Sequence, residues 1–151
     1  MDISKILKPK SKREIFFHLG DINPNKLLAK SAVIGFLPGV KLALKRGANI
    51  HSREEGNFYD DFALRHAAYH GHYSVVDFLL KNGANIHAEE EEALIWASAQ
   101  GHTNIVELLL KNGANINARY SEAFRRASIE NNKDTAELLL EYGAKKCYEY
   151  D

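Results

Sequence analysis

Histidines are the side chains here best equipped for chemistry: the chain has seven, and His66, His70 and His72 crowd into one stretch. His66 and His70 stand four apart, a spacing that lets two imidazoles share one helix face and that zinc sites use. No cysteine or carboxylate motif completes a ligand set around them, so the histidines are expected in structural or surface roles and no metal site is expected. The usual catalytic constellations are missing too. There is no phosphate-cradling glycine loop, no Gly-x-Ser-x-Gly elbow and no His-Glu-x-x-His. The single cysteine, Cys147, leaves no partner for an intramolecular disulfide and suits a reducing compartment. These residues point to a protein that is not an enzyme and carries no cofactor.

Charge is the next source of chemistry. Across 151 residues, 20 basic side chains balance 20 acidic ones, so only local distribution can speak of a partner. An acidic run, Glu89 to Glu92, and the pair Asp60-Asp61 stand against a basic group, Arg119, Arg125 and Arg126. A second basic group lies at Lys5, Lys8, Lys10, Lys12 and Arg13. Part of the acidity is structural, since carboxylates near helix N-termini gain ~0.3–1 kcal/mol each. Four in a row exceed that need. The most apolar stretch, Leu27 to Leu44, is interrupted by Lys30, Pro38 and Lys41, whereas a bilayer span needs roughly 20 clean apolar residues. No leader is expected, and the chain is expected to be soluble, cytoplasmic and free of the membrane.

The elements that would position these groups repeat. The string Gly-Ala-Asn-Ile occurs at Gly47, Gly83 and Gly113, and Gly143-Ala144 echoes it, at spacings of 36, 30 and 30 residues. Each copy reads as two short helices. In the third, Leu94, Ala97 and Ser98 make a narrow apolar stripe, and Gly101-His102 breaks the chain. Thr103 or Asn104 is expected to cap a second helix carrying Ile105, Val106, Leu108, Leu109 and Leu110. Lys111 suits that helix's negative end, and Asn112-Gly113 stops it, with glycine free to turn left-handed. One such hairpin cannot bury its apolar surface, but stacked copies can, each covering the next.

Ala-Ala-Tyr-His-Gly-His (67 to 72), Ile-Val-Glu-Leu-Leu-Leu-Lys-Asn-Gly-Ala-Asn-Ile-Asn (105 to 117) and their copies resemble the ankyrin family over about residues 11 to 144. The resemblance implies an all-α ankyrin-repeat solenoid of helix-turn-helix repeats with short β-hairpin-like fingers. The expected division is 1–23, an N-terminal segment with a half-repeat capping helix over Ser11 to Leu19; 24–50, a degenerate first repeat; 51–83, a second repeat with a long finger; 84–113, a third; 114–144, a fourth serving as C-terminal cap; and 145–151, a tail. The family's Thr-Pro-Leu-His is replaced by Phe62-Ala-Leu-Arg65, Glu92-Ala-Leu-Ile95 and Glu122-Ala-Phe-Arg125, leaving Leu64, Leu94 and Phe124 as the buried positions. The 30-residue period is shorter than the family's ~33. The shortening falls in the finger, which resembles the short-finger repeats of giant DNA viruses. His72 and His102 fall at the family's Gly-His position, where the ring serves the turn between helices.

The resemblance also implies a function: binding another protein through a concave face built of fingers and first helices. Carried over by position, that face holds Tyr59, Tyr69, His70, Glu89, Glu90, Glu91, Glu92, Trp96, Ala99, Gln100, Arg119, Tyr120, Arg126 and Glu130. Tyrosine, tryptophan and arginine are enriched where binding energy concentrates. A second reading of the charges stays open, a solvated face laced with Glu–Arg pairs between neighbouring copies. Trp96 stands either as a contact or as partly buried packing. Val33, Ile34, Phe36 and Leu37 are covered by the segment Met1 to Lys8 or form an apolar patch. The expected role is adaptor, inhibitor or decoy, in a viral setting directed at a host or defence protein, as a monomer or a weak self-associate. The alternative is nucleic-acid binding through the two basic groups, which zero net charge and the acidic run oppose.

Overall fold

Asn23 starts the first helix, its Oδ1 accepting the backbone N–H of Asn25 at 2.9 Å and of Lys26 at 3.4 Å. Pro24 follows at the first helical position, where its missing N–H costs nothing. In the computed structural model, which describes residues 22–53 and 60–146, this helix is α1 (Pro24–Val33). It is followed by α2 (Leu37–Lys45), α3 (Phe62–Tyr69), α4 (Tyr73–Lys81), α5 (Glu92–Ala99), α6 (Thr103–Lys111), α7 (Ala118–Ile129, broken near its start by a left-handed turn at Arg119, Tyr120 and Ser121) and α8 (Lys133–Glu141). The expected half-repeat helix at Ser11 to Leu19 lies outside the described residues, as does Tyr59.

Consecutive helices pair as hairpins, α1 with α2 through to α7 with α8. The first helices α1, α3, α5 and α7 stack in one layer and the second helices α2, α4, α6 and α8 in another. This is an all-α helix-turn-helix repeat solenoid. Among the described residues there is no strand, and the fingers are turns. Ala67, Ala97 and Ala127 are fully buried at matching positions and let the first layer approach closely. Val75, Val76 and Leu79 on α4, with Ile105, Val106 and Leu109 on α6, are fully buried between the layers. Leu64 and Leu94 are buried as expected, but Phe124 is only half-buried, because no described helix pair stacks beyond α7. Ile34 is 46% exposed, and the segment Met1 to Lys8, expected as its cover, lies outside the described residues.

The histidine at each inter-helix turn reaches farther than its own hairpin. His72 Nε2 donates to the Val33 carbonyl at 2.9 Å, and His102 Nε2 donates to the Tyr69 carbonyl at 3.0 Å. Asn132 takes the same place one copy on, its Nδ2 donating to Ala99 O at 2.8 Å and Ser98 O at 3.2 Å. Each donor ties off the C-terminal end of the preceding first helix, whose carbonyls lack intrahelical partners. The glycine of that preceding turn makes the room. A Cβ on Gly101, which has φ +72°, would lie 2.7 Å from Asn132 Oδ1. Gly101→Val is therefore expected to cost about 2–3 kcal/mol, from left-handed strain in a β-branched residue and the displaced Asn132. A thermal melt checks it; a midpoint equal to the parent's would contradict this register.

The expected cap of α6 is corrected. The residue at the cap is His102, which makes no side-chain cap bond. Thr103 Oγ1 instead shares a 2.7 Å hydrogen bond with Thr135 Oγ1 on α8, and Asn104 Oδ1 accepts its neighbour Ile105 N–H, at 2.9 Å. Lys111 pairs with Glu107 at 2.7 Å one turn back, and Gly113 takes φ +95° as the stop.

Candidate protein-binding face

A continuous aromatic patch crosses from α3 to α5. The 30-residue repeat places His66 and Trp96 at equivalent positions of adjacent helices, and their rings meet edge to face at 5.3 Å. Phe62 stacks on His66 at 3.9 Å, Tyr69 meets Trp96 at 5.6 Å and His70 at 4.9 Å, both near perpendicular. Such pairs contribute about 0.5–1.5 kcal/mol each beyond the area they bury. Trp96 is half-buried, the packing reading of the sequence, while Tyr69 and His70 are exposed. Burial, then the Arg65 charge and His70, lowers the pKa of His66 to about 4. Burial, with His72 and His102, lowers that of His70 as well. At neutral pH both rings of this patch are therefore uncharged.

Beneath the patch lies a charge that sequence reasoning missed. Arg65 is only 1% exposed. Its Nε donates to the Asp60 carbonyl at 2.9 Å, its Nη1 bonds Glu92, and its guanidinium sits 5.5 Å from the Trp96 ring centre. Buried arginine is tolerated only when paired this fully. The available signal was the equivalence of Arg65 with Ile95, a core position in the next copy (6% exposed).

The fingers consume the acidic run. Glu89, Glu90 and Glu91 all have left-handed backbones (φ 52°, 54° and 71°), as do Arg119, Tyr120 and Ser121 one copy on (φ 48°, 57° and 56°). Left-handed non-glycine residues cost roughly 1–2 kcal/mol each, so side-chain bonds must hold these turns. Glu89 Oε1 accepts the Asp60 N–H at 3.3 Å, and Arg119 bonds Glu90 Oε2 and the Glu89 carbonyl, both at 2.9 Å. Glu91 is buried, 3% exposed, with its Oε1 2.5 Å from His87 Nδ1, and Glu92 holds Arg65. Glu91 and Glu92, expected on the open face, are thus corrected to internal roles, because their carboxylates serve the fold. The reading of Glu–Arg pairs between neighbouring copies fits both Glu90–Arg119 and Glu92–Arg65.

Glu91 also breaks a ladder. At the equivalent position Asp61 bonds His51 at 3.0 Å and accepts the Asn85 N–H at 2.8 Å. Glu91 Oε2 is buried with no such partner. An unmade buried bond costs about 1–3 kcal/mol, and aspartate tolerates the left-handed region better than glutamate. Glu91→Asp should therefore raise stability by about 1 kcal/mol, read as a higher urea midpoint at unchanged slope; a lower midpoint would contradict it.

The remaining expected contacts are on the surface. Gln100 and Glu130 are exposed, and Tyr120 is 75% exposed. The side chains of Arg125 and Arg126, each 51% exposed, share the buried carboxylate of Glu122. Burial alone would raise the pKa of Glu122, but hydrogen bonds from Arg126 and Arg125 outweigh it and hold the group ionised. Arg119, Arg125 and Arg126, the basic group of the nucleic-acid reading, each bond a carboxylate; the other basic group lies outside the described residues. Among the described residues no cluster of three or more His, Cys, Asp or Glu could hold a metal, and no helix is long and apolar enough to cross a membrane.

The ankyrin-repeat family model, which holds three copies of the repeat, matches residues 27–120 and again 64–149. The chain belongs to the ankyrin-repeat family. Ankyrin repeats mediate binding to protein partners, so this is a protein–protein interaction module of a family that is typically non-enzymatic. The match runs across every described helix pair, including the first, whose sequence departs most from the others. No curated protein matches the chain.

Proposed function

We propose that this ankyrin-repeat chain docks a partner protein on its first-helix layer, the family's concave face, centred on Tyr69, His70 and Trp96 and reaching Gln100, Arg126 and Glu130. The observation that carries this reading is the aromatic patch itself. It spans two repeats, is built on rigid helices, and leaves Tyr69 38% exposed beside the half-buried Trp96. Rigid aromatic side chains in a preformed surface lose little entropy on binding, and arginine beside them supplies directed hydrogen bonds. Glu90, Arg119 and Tyr120 form the rim of this face, where charges steer approach more than they hold the complex.

For an interaction module of this family, the role that fits is adaptor, inhibitor or decoy inside a reducing compartment. The resemblance to short-finger viral repeats suggests a host or defence protein as target. The test is affinity purification from candidate host lysate with the parent and with a Tyr69→Ala/Arg126→Ala variant, both checked for helicity by circular dichroism. A partner retained by the parent and lost by the folded variant supports the face. An unchanged set of partners would place the interface elsewhere.

A further inference from the structure

Six of the seven histidines lie in described residues, and they fall into two kinds. His51 and His87 each face a buried carboxylate, Asp61 at 3.0 Å and Glu91 at 2.5 Å. Among the described residues the other four make no ion pair with a carboxylate. The ring centres of His66 and His70 are 6.2 Å apart, and those of His70 and His72 are 6.0 Å apart. His72 and His102 are tied through Nε2 to Val33 O and Tyr69 O, so the run stitches three successive helix pairs together. The charged groups that bear on His66 are Arg65 and His70, and those on His70 are His72 and His102. α5 adds the Trp96 edge and turns its nearby carboxylate, Glu92, toward Arg65 rather than toward the imidazoles.

We propose that His66 and His70, seated between the His72 and His102 ties, form an acid-sensitive seam: with both rings uncharged, the α3–α4 and α5–α6 pairs pack together under a neutral aromatic face, and protonation of the two loosens them. A proton added to His66 would place like charge beside the buried Arg65 guanidinium, whose carboxylate partner, Glu92, is already engaged, and one added to His70 would face His72 and His102. The direction follows from linkage. His66 and His70 both titrate below the ~6.5 of an unfolded histidine, His66 at about 4, so the unfolded chain binds more protons in that interval. Their stabilising contribution is complete above pH ~6.5 and is lost as the pH falls toward about 4. The seam lies under the proposed docking face and would regulate it, but it needs no partner to be tested.

The test is thermal unfolding of the free full chain at pH 7.5 and 5.0, followed by the single tryptophan, Trp96, and by circular dichroism. The parent midpoint is expected to fall by about 5 °C on acidification, and that of His66→Phe/His70→Gln by less than half as much. His66→Gln alone serves if the double variant is unfolded, and should recover part of the difference. Imidazole NMR titration of the parent gives a second readout, with His66 titrating below the range of an unfolded histidine. Equal acid sensitivity of parent and folded variants, or His66 titrating near 6.5, would overturn the seam and leave the docking proposal standing. An unchanged set of partners for the folded Tyr69→Ala/Arg126→Ala variant, with the seam's acid sensitivity present, would do the reverse.

Discussion

Glu92→Lys is expected to lower the unfolding midpoint by roughly 10–20 °C, more than any surface substitution can. Glu92 is the carboxylate that balances Arg65, which is 1% exposed and cannot reach water. Removing one member of a buried pair costs about 3–5 kcal/mol, because the other charge stays behind unpaired. Lysine adds repulsion to that loss. The Trp96 ring stacked near the guanidinium would be displaced as well, so the emission of the single tryptophan should shift to the red in the folded baseline. Arg65→Met/Glu92→Leu removes both charges and should recover most of the loss, since a buried ion pair is often matched by well-packed apolar residues. A Glu92→Lys midpoint within about 2 °C of the parent would show that Arg65 is not buried as described.

Leu109→Asp is expected to be the most damaging single change. Leu109 is fully buried on α6, the helix flanked by α4 and α8 in the second layer. Truncating a buried leucine costs about 2–5 kcal/mol, and a carboxylate with no partner adds several more. That total rivals the whole stability of an ordinary domain. In a solenoid the damage spreads to neighbours, because stability is a sum of adjacent interfaces. Hydrogen exchange should show amide protection lost across α5 to α8 while part of it survives in α1 to α4. Protection retained in α6 would contradict the placement of this side chain.

Much of the fold was legible in the sequence because its signals are periodic. The glycines at 83, 113 and 143 mark the stops of α4, α6 and α8, and each takes a positive φ. Leu64, Leu94 and Leu109 are buried because they recur at positions that each copy turns inward. What was not legible came from side chains acting across copies. Arg65 reads as a surface residue by type, and only its pairing with Glu92, 27 residues on, permits burial. The run Glu89 to Glu92 reads as one acidic patch, but a left-handed turn sends consecutive carboxylates to different partners. Thr103 reads as a cap, yet its hydroxyl meets Thr135 on the neighbouring copy. Of the candidate face, Tyr69, Trp96 and Arg126 could be placed by register alone. That Trp96 and Tyr69 join His66 and His70 in one uncharged cluster depends on ring geometry and burial, which no single position announces.

The docking face is tested most directly by site-specific photo-crosslinking in host lysate. A benzophenone side chain is placed in separate variants at position 69, at position 126 and, on the second-helix layer, at position 111, where the lysine side chain is 60% exposed. Docking on the first helices predicts that one partner protein is captured from positions 69 and 126 and not from 111. Capture from 111 alone, with all three variants folded, would contradict it.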